Sequence, residues 1–267
     1  MAETTGQEFR IGRVLSTAWS VYMRNFTPFS MVALVLLLPL LFIQLFMMPI
    51  AEAGEDVAVV EVFGIVGVIY ALLTLLLTQL VTATVVYGTI QEMRHNSVST
   101  GEVLTRGLQL ALPVLGVVLV ASVAVALAVG SVAFVAILAT GSGVFGILLA
   151  MIPGLTLFVM FWVAIPVAVV ERPGVFASLK RSIFLTKGNR WRIVGLVGLL
   201  WLVAALITSL ASAVFLGTGA VGIYPYIDHV LTAFFTVVIA VVGAVGYHDL
   251  RLLKDGVDVD GIASVFD

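Results

Sequence analysis

Titratable side chains are rare in this sequence, and the densest group lies in residues 172–192, RPGVFASLKRSIFLTKGNRWR. This segment holds six of the chain's 13 lysines and arginines. Clustered cations can bind the phosphates of nucleic acids or of anionic lipids. We predict that the segment contacts lipid headgroups or a partner protein through all six: Arg172, Lys180, Arg181, Lys187, Arg190 and Arg192.

Nucleic acid is the weaker of the two hypotheses for the basic segment. The chain has a formal net charge of −2, so it creates no overall basic field that would attract nucleic acid. Long uncharged runs flank the segment on both sides. They predict no DNA- or RNA-binding fold that could place an element in a nucleic-acid groove. We therefore predict anionic lipid headgroups, and no nucleic acid, as partners.

The remaining titratable groups give no pattern typical of catalysis or of a metal site. The tail DGVDVDG, residues 255–261, resembles part of a calcium loop but lacks the five-residue run to a closing Glu. His229 follows Asp228, a pair that could bind a ligand or simply cap a helix. With no Cys, three His and no catalytic motif, we expect no enzymatic activity, no cofactor and no metal.

The composition of the whole chain indicates that most of it lies in a lipid bilayer rather than in water. Hydrophobic residues make up 61% of the chain and charged residues only 10%, whereas soluble domains carry about 25% charged residues. We therefore predict an all-α polytopic membrane protein forming a single domain over residues 1–267, with an amphipathic segment at 1–28 and a short tail at 248–267. Its six predicted spans cover about 29–50, 62–87, 112–139, 144–170, 193–216 and 229–247.

Charge asymmetry between the loops predicts the orientation of these spans. All 13 basic residues fall in the segments that would lie on one side, and the opposite loops carry only acids. The positive-inside rule then places both termini in the cytoplasm, and we predict a bacterial inner-membrane location. The acids on the other side are Glu52, Glu55, Asp56, Glu61 and Asp228.

Three short amphipathic segments precede the predicted membrane hairpins. They begin at Gly12, Gly101 and Gly174, and each leads into a pair of spans, so we predict a threefold repeat of surface helix and hairpin. In the first segment the expected apolar face includes Val14, Trp19 and Tyr22. In the third, the expected apolar face is Phe176, Leu179 and Ile183, with Arg181 opposite and Lys180 close to the apolar side.

Polar and helix-breaking residues within the spans leave two interpretations open. Gln44 and Gln79 fit hydrogen bonds between helices better than substrate contacts. Pro153-Gly154 could unwind the fourth span, as in transporters, or only kink it. Small residues at four-residue spacing, such as Ser122, Ala126 and Gly130, allow close helix contact within one chain or in a homo-oligomer.

Two motifs read together resemble the glycerophosphoryl diester phosphodiesterase membrane-domain family. One is PVAVVE, ending at Glu171, with the basic segment after it; the other is YHDLR, containing Asp249 and Arg251, with KDG after it. The resemblance implies a six-helix membrane region, and some family members attach a phosphodiesterase domain behind it. Only 16 residues follow Arg251 here, so the resemblance implies the stand-alone membrane form without that active site.

The motif residues suggest a cytoplasmic ion-pair site. We expect Asp249 and Arg251 to pair with Glu171 and with the basic segment. For the whole chain we predict a non-enzymatic membrane protein that organises a membrane complex or binds lipid at the inner leaflet. The alternative is a transporter or channel for a small or lipid-like molecule.

Overall fold

Helices account for nearly all of the chain that the computed structural model describes, residues 9–52, 57–94 and 100–256. No β-strand occurs in these residues. Six helical segments among them are long and apolar enough to cross a membrane, which confirms the predicted all-α membrane fold. They are Phe26–Met47, Gly64–Met93, Ala111–Thr140, Gly143–Val170, Arg190–Gly217 and Tyr224–Asp255.

Helix boundaries extend beyond the apolar stretches at several ends, because charged turns continue the same helices. The last helix, for example, runs eight residues past Tyr247 into charged sequence. In chain order the helices are α1 (Ile11–Arg24), α2 (Phe26–Glu52), α3 (Val57–Met93), α4 (Thr100–Gln109), α5 (Ala111–Thr140), α6 (Gly143–Phe161), α7 (Ala164–Val170), α8 (Val175–Thr186), α9 (Arg190–Gly217) and α10 (Tyr224–Asp255).

The long helices expose large apolar side chains along much of their length. Leu112 at the start of α5 and Val144 at the start of α6 are each more than two-thirds exposed, as are Leu127 and Leu138 between them. A surface of this kind is unfavourable in water over such an area. It is suited to the hydrocarbon of a bilayer, where apolar side chains meet acyl chains.

The chain divides into two compact units. Within the described residues, the first unit comprises 9–17, 110–197 and 242–256, and the second comprises 18–109 and 198–241. The first holds the basic segment and the charged end of α10. The second holds α2, α3 and α4.

In the first unit, α5 and α6 are joined by a tight turn at the glycine-serine sequence. Gly141 has a φ of 68°, a conformation that glycine adopts at little cost, and its N–H closes α5 by donating to Ile137. Ser142 then accepts a hydrogen bond from the N–H of Phe145 and so caps α6. The two helices can pack closely because a Cβ on Gly146 would stand 2.6 Å from the Ile137 side chain.

The fourth predicted span is interrupted, but away from the proline-glycine pair. α6 continues through Pro153, so of the two interpretations left open for Pro153-Gly154 the structure contradicts unwinding. The interruption instead lies at Trp162 and Val163, between α6 and α7. Pro166 lies in the first turn of α7, where a missing N–H is tolerated.

A buried serine compensates for part of this interruption. The last carbonyls of a helix have no donor in their own helix. Ser182 of α8 is fully buried and donates its hydroxyl to the Met160 carbonyl at 2.7 Å. The polar backbone at the break is thus satisfied by a side chain 22 residues further along the chain.

We expect Ser182→Ala to lower the free energy of unfolding by about 1–2 kcal/mol, because the Met160 carbonyl loses its donor in a buried place. Thermal unfolding in detergent measures this. Ser131→Ala is the matched control, since exposed Ser131 bonds only to Ala128 in its own helix. If the two variants lose equal free energy of unfolding, the Ser182 hydroxyl does not stabilise the helix interruption.

In the second unit, polar side chains link α10 to α2. Gln44 donates to the Asp228 carboxylate at 3.1 Å, so this glutamine forms the interhelical hydrogen bond expected of it. His229 is buried, with its Nε2 3.2 Å from the carbonyl oxygen of Leu34. These contacts fasten two apolar helices to each other with polar groups.

α1 is packed against protein along much of the face that was expected to enter lipid. Val14, Ala18 and Tyr22 are buried, and the Tyr22 ring lies 5.9 Å from that of Phe234 in an edge arrangement. Trp19, expected on the same apolar face, is 54% exposed.

Candidate functional site

The charged end of the first unit contains a connected set of ion pairs, which we call the carboxylate–arginine network. Arg181 of α8 donates through Nε to Glu171 at 3.1 Å and through Nη2 to Asp255. Tyr247 donates its hydroxyl to Glu171 at 2.8 Å. Arg251 lies 3.5 Å from the Tyr247 hydroxyl and 3.7 Å from Asp255. Two carboxylates and two guanidinium groups therefore balance each other.

Helical periodicity explains which residues of α10 join this network. Tyr247, Arg251 and Asp255 are four residues apart and share one face of the helix. Asp249 lies on the other face, where it accepts from Arg13 of α1 at 3.0 Å. The expectation that Asp249 pairs with Glu171 and the basic segment is therefore wrong. Arg251 reaches Glu171 only through the Tyr247 hydroxyl.

Arg181 is held as a permanent cation at the centre of the network. Its hydrogen bond to Asp255 raises the pKa of the guanidinium above the ordinary value, and the charge of Glu171 acts in the same direction against the opposing effect of burial. An arginine so placed links two acids of distant sequence segments, and its charge is already neutralised by the protein.

α8 buries hydroxyl groups together with Leu179 and Leu185, so its buried face differs from the expected apolar face. Ser178, Ser182 and Thr186 are fully buried, four residues apart, and each donates to a backbone carbonyl. The expected face of Phe176, Leu179 and Ile183 is thus rotated by about a quarter turn, since helical residues advance by about 100°. A hydropathy pattern predicts that serine and threonine lie on the solvent-exposed face, but a hydroxyl group that donates a hydrogen bond can be buried.

The opposite side of α8, which we call the exposed α8 face, carries aromatic and basic side chains. Phe176 is 75% exposed, and Phe184 is about half exposed. Lys180 and Lys187 lie on the same side and are exposed. In the described part of the chain, no carboxylate lies within ion-pair distance of either lysine.

The other arginines of the basic segment have different surroundings. Arg172 is exposed in the left-handed conformation (φ 51°) that ends α7. Arg192 donates to the Phe9 carbonyl at 3.1 Å. Arg190 begins α9, and its Nε is buried without an acceptor in the described chain. Two of the six predicted contact residues, Arg181 and Arg192, therefore bond within the protein. The other four form no ion pair with an acid in the described chain: Arg172, Lys180, Lys187 and Arg190.

Two members of the network were missed at the level of sequence. Tyr247 lies in the YHDLR motif but is not among its predicted site residues, and Asp255 begins the DGVDVDG tail. The four-residue spacing Tyr247–Arg251–Asp255 was the available signal, because it places all three on one helix face.

Metal ligation has no candidate among the described residues. No three His, Asp or Glu side chains come together there in a way that could hold a metal ion. Asp258 and Asp260 of the calcium-like tail lie outside the described residues. Comparison with known protein families, curated proteins and solved structures finds no match for this chain.

Proposed function

We propose that this protein is a non-enzymatic protein of a bacterial inner membrane, and that its exposed α8 face binds anionic lipid headgroups on the cytoplasmic side. The observation that carries the proposal is that the lysines of this region are exposed and unpaired in the described chain, while its acids are paired with arginines. The acids of this region are engaged by Arg181 and Arg251, whereas Lys180 and Lys187 point outward beside exposed aromatic rings.

Aromatic exposure supports a headgroup environment for this face. Phe176 and Trp191 are 75% and 85% exposed, far more than large aromatic side chains tolerate well in water. Aromatic rings are favoured at the level of lipid headgroups, with basic side chains directed to the phosphates. The charge bias of the whole sequence favours the cytoplasmic leaflet as the one they meet.

The network gives this face a fixed position. Arg181 joins α8 to Glu171 and to the end of α10, so that the lysines project from a braced helix. A braced basic helix at a membrane surface can gather anionic lipids around the spans or support a partner complex. Transport is less favoured, because protein packs tightly around the helix interruption where a transporter would hold its substrate. Ser182 donates to the Met160 carbonyl beside the interruption, and a Cβ on Gly246 would stand only 2.4 Å from the Trp162 ring.

Lipid retention tests the proposal. We expect the Arg172→Gln, Lys180→Gln variant to retain anionic lipid several-fold more weakly than the wild type, because each cation near an anionic surface contributes about 1 kcal/mol. Native mass spectrometry of the protein extracted gently from its membrane measures bound lipid per chain. Arg106→Gln, an exposed cation of α4, is the control and is expected to have the smaller effect. Unchanged lipid retention in the double variant would overturn the proposal.

A further inference from the structure

The end of α10 brings a lysine to the end of α8. The Lys254 ammonium lies 5.9 Å from the centre of the Phe184 ring. It is also 4.0 Å from the point where a Cβ on Gly188 would stand. The ring attracts the cation, and the glycine leaves space beside it, so this ammonium has a defined location.

Further cations flank Gly188 in the sequence, and in the described part of the chain none of them, nor Lys254, has an acid within ion-pair distance. Lys187 precedes Gly188 and is exposed, and Arg190 follows two residues later with a buried Nε that has no acceptor in the described chain. The acid next to Lys254 in sequence, Asp255, is already engaged by Arg181 and Arg251. We call Phe184, Lys187, Gly188, Arg190 and Lys254 the lysine corner.

We propose that the lysine corner is a binding site for the phosphate monoester headgroup of a membrane lipid. This inference rests on the proposed function, which places the exposed α8 face at an anionic leaflet, and it adds a preference for one headgroup class. A phosphate monoester offers three unesterified oxygens and up to two negative charges, whereas the phosphodiester of ordinary anionic lipids carries one charge.

The geometry favours the more highly charged headgroup. Lys187, Arg190 and Lys254 form no ion pair among the described residues, so their like charges repel, and one dianion relieves more of that repulsion than a monoanion. Ammonium groups are compact point charges with three donors each, so they can share the oxygens of one phosphate. Gly188 has a φ of 92°, so any side chain there would be strained as well as close to the Lys254 ammonium.

Competition between two lipids in nanodiscs tests the headgroup preference. The probes are phosphatidic acid, a monoester, and phosphatidylglycerol, a diester, in a zwitterionic background, with bound lipid counted by native mass spectrometry. We expect the wild type to prefer phosphatidic acid at least fivefold at pH 8. Lys187→Gln with Lys254→Gln should bring the ratio close to one. Arg172→Gln with Lys180→Gln, the matched control, should weaken both lipids and keep the ratio.

The pH dependence gives a second readout. The second ionisation of a phosphate monoester has a pKa of about 6, and nearby lysines lower it. The preference should therefore persist at pH 7 and decline as the pH falls below about 5. A ratio that is the same at pH 8 and pH 4.5 would overturn the dianion assignment.

The remaining outcomes separate this inference from the proposed function. Equal binding of both anionic lipids, unaffected by the Lys187 and Lys254 substitutions, overturns the lysine corner and leaves the proposed function intact. Binding no stronger than that of the zwitterionic lipid overturns both. Full displacement of phosphatidic acid by millimolar inorganic phosphate overturns the lipid assignment and identifies a site for soluble phosphate.

Discussion

Replacing Gly107 by alanine should destabilise the protein severely, although the substitution adds only one methyl group. A Cβ at this position of α4 would stand 2.0 Å from the Thr84 hydroxyl oxygen and 2.9 Å from the Thr84 Cα. Backbone atoms of α3 cannot move aside as a flexible side chain can, so α4 must shift as a whole. We expect the free energy of unfolding to fall by about 3 kcal/mol or more.

A second glycine of the same short helix provides the control for this prediction. Gly101 is exposed, and in the described part of the chain no atom beyond its own helix turn lies within 4 Å of its Cβ position. Gly101→Ala should therefore be neutral or stabilise the protein by up to about 1 kcal/mol, through helix propensity alone. Thermal unfolding in detergent compares the two variants, and similar melting temperatures would contradict the close packing of α3 and α4.

The second large effect is expected at Arg181. Arg181→Met keeps the length of the side chain but leaves Glu171 and Asp255 without the cation they share. These side chains are 20% and 26% exposed, so water screens part of the loss. We expect destabilisation of about 2 kcal/mol, below the 3–5 kcal/mol typical of fully buried pairs.

Neighbouring substitutions distinguish the loss of ion pairs from a general effect of charge. Lys180→Gln removes one positive charge from the preceding residue of the same helix but breaks no ion pair, and its stability should stay within about 0.5 kcal/mol of wild type. Asp255 keeps Arg251 as a partner, so adding Glu171→Gln to Arg181→Met removes the acid that has lost its cation and should restore part of the stability. If Lys180→Gln is as damaging as Arg181→Met in thermal unfolding, the network is not the source of the effect.

The number of apolar helices could be predicted from the sequence because hydrophobicity over about 20 residues is a local property. The interruption of the fourth span could not. Pro153 gives a local signal there and α6 runs through it, whereas the interruption at Trp162 is accommodated by Ser182, whose approach depends on tertiary packing.

For the charged residues, too, the sequence predicts where they cluster but not which partners they bond. The basic segment is visible in the sequence, but its helical pattern directs Arg181 away from the apolar side and Lys180 toward it. The structure shows the reverse, since contacts with Glu171 and Asp255 engage Arg181 and leave Lys180 exposed. Asp249 was assigned to the wrong partner because its helix face decides the pairing, and Arg13 is 236 residues away.

The unbroken length of α10 has a consequence for the bilayers in which this protein is stable. From Asp228 to Tyr247 the helix axis rises by about 28 Å. Polar bonds hold both ends to neighbouring segments, Gln44 of α2 to Asp228 and Tyr247 to Glu171, so neither end can slide along its neighbour without breaking one of them. The separation of these two polar ends is close to the roughly 30 Å hydrocarbon core of a typical bilayer, so α10 is long enough to cross such a core with little tilt.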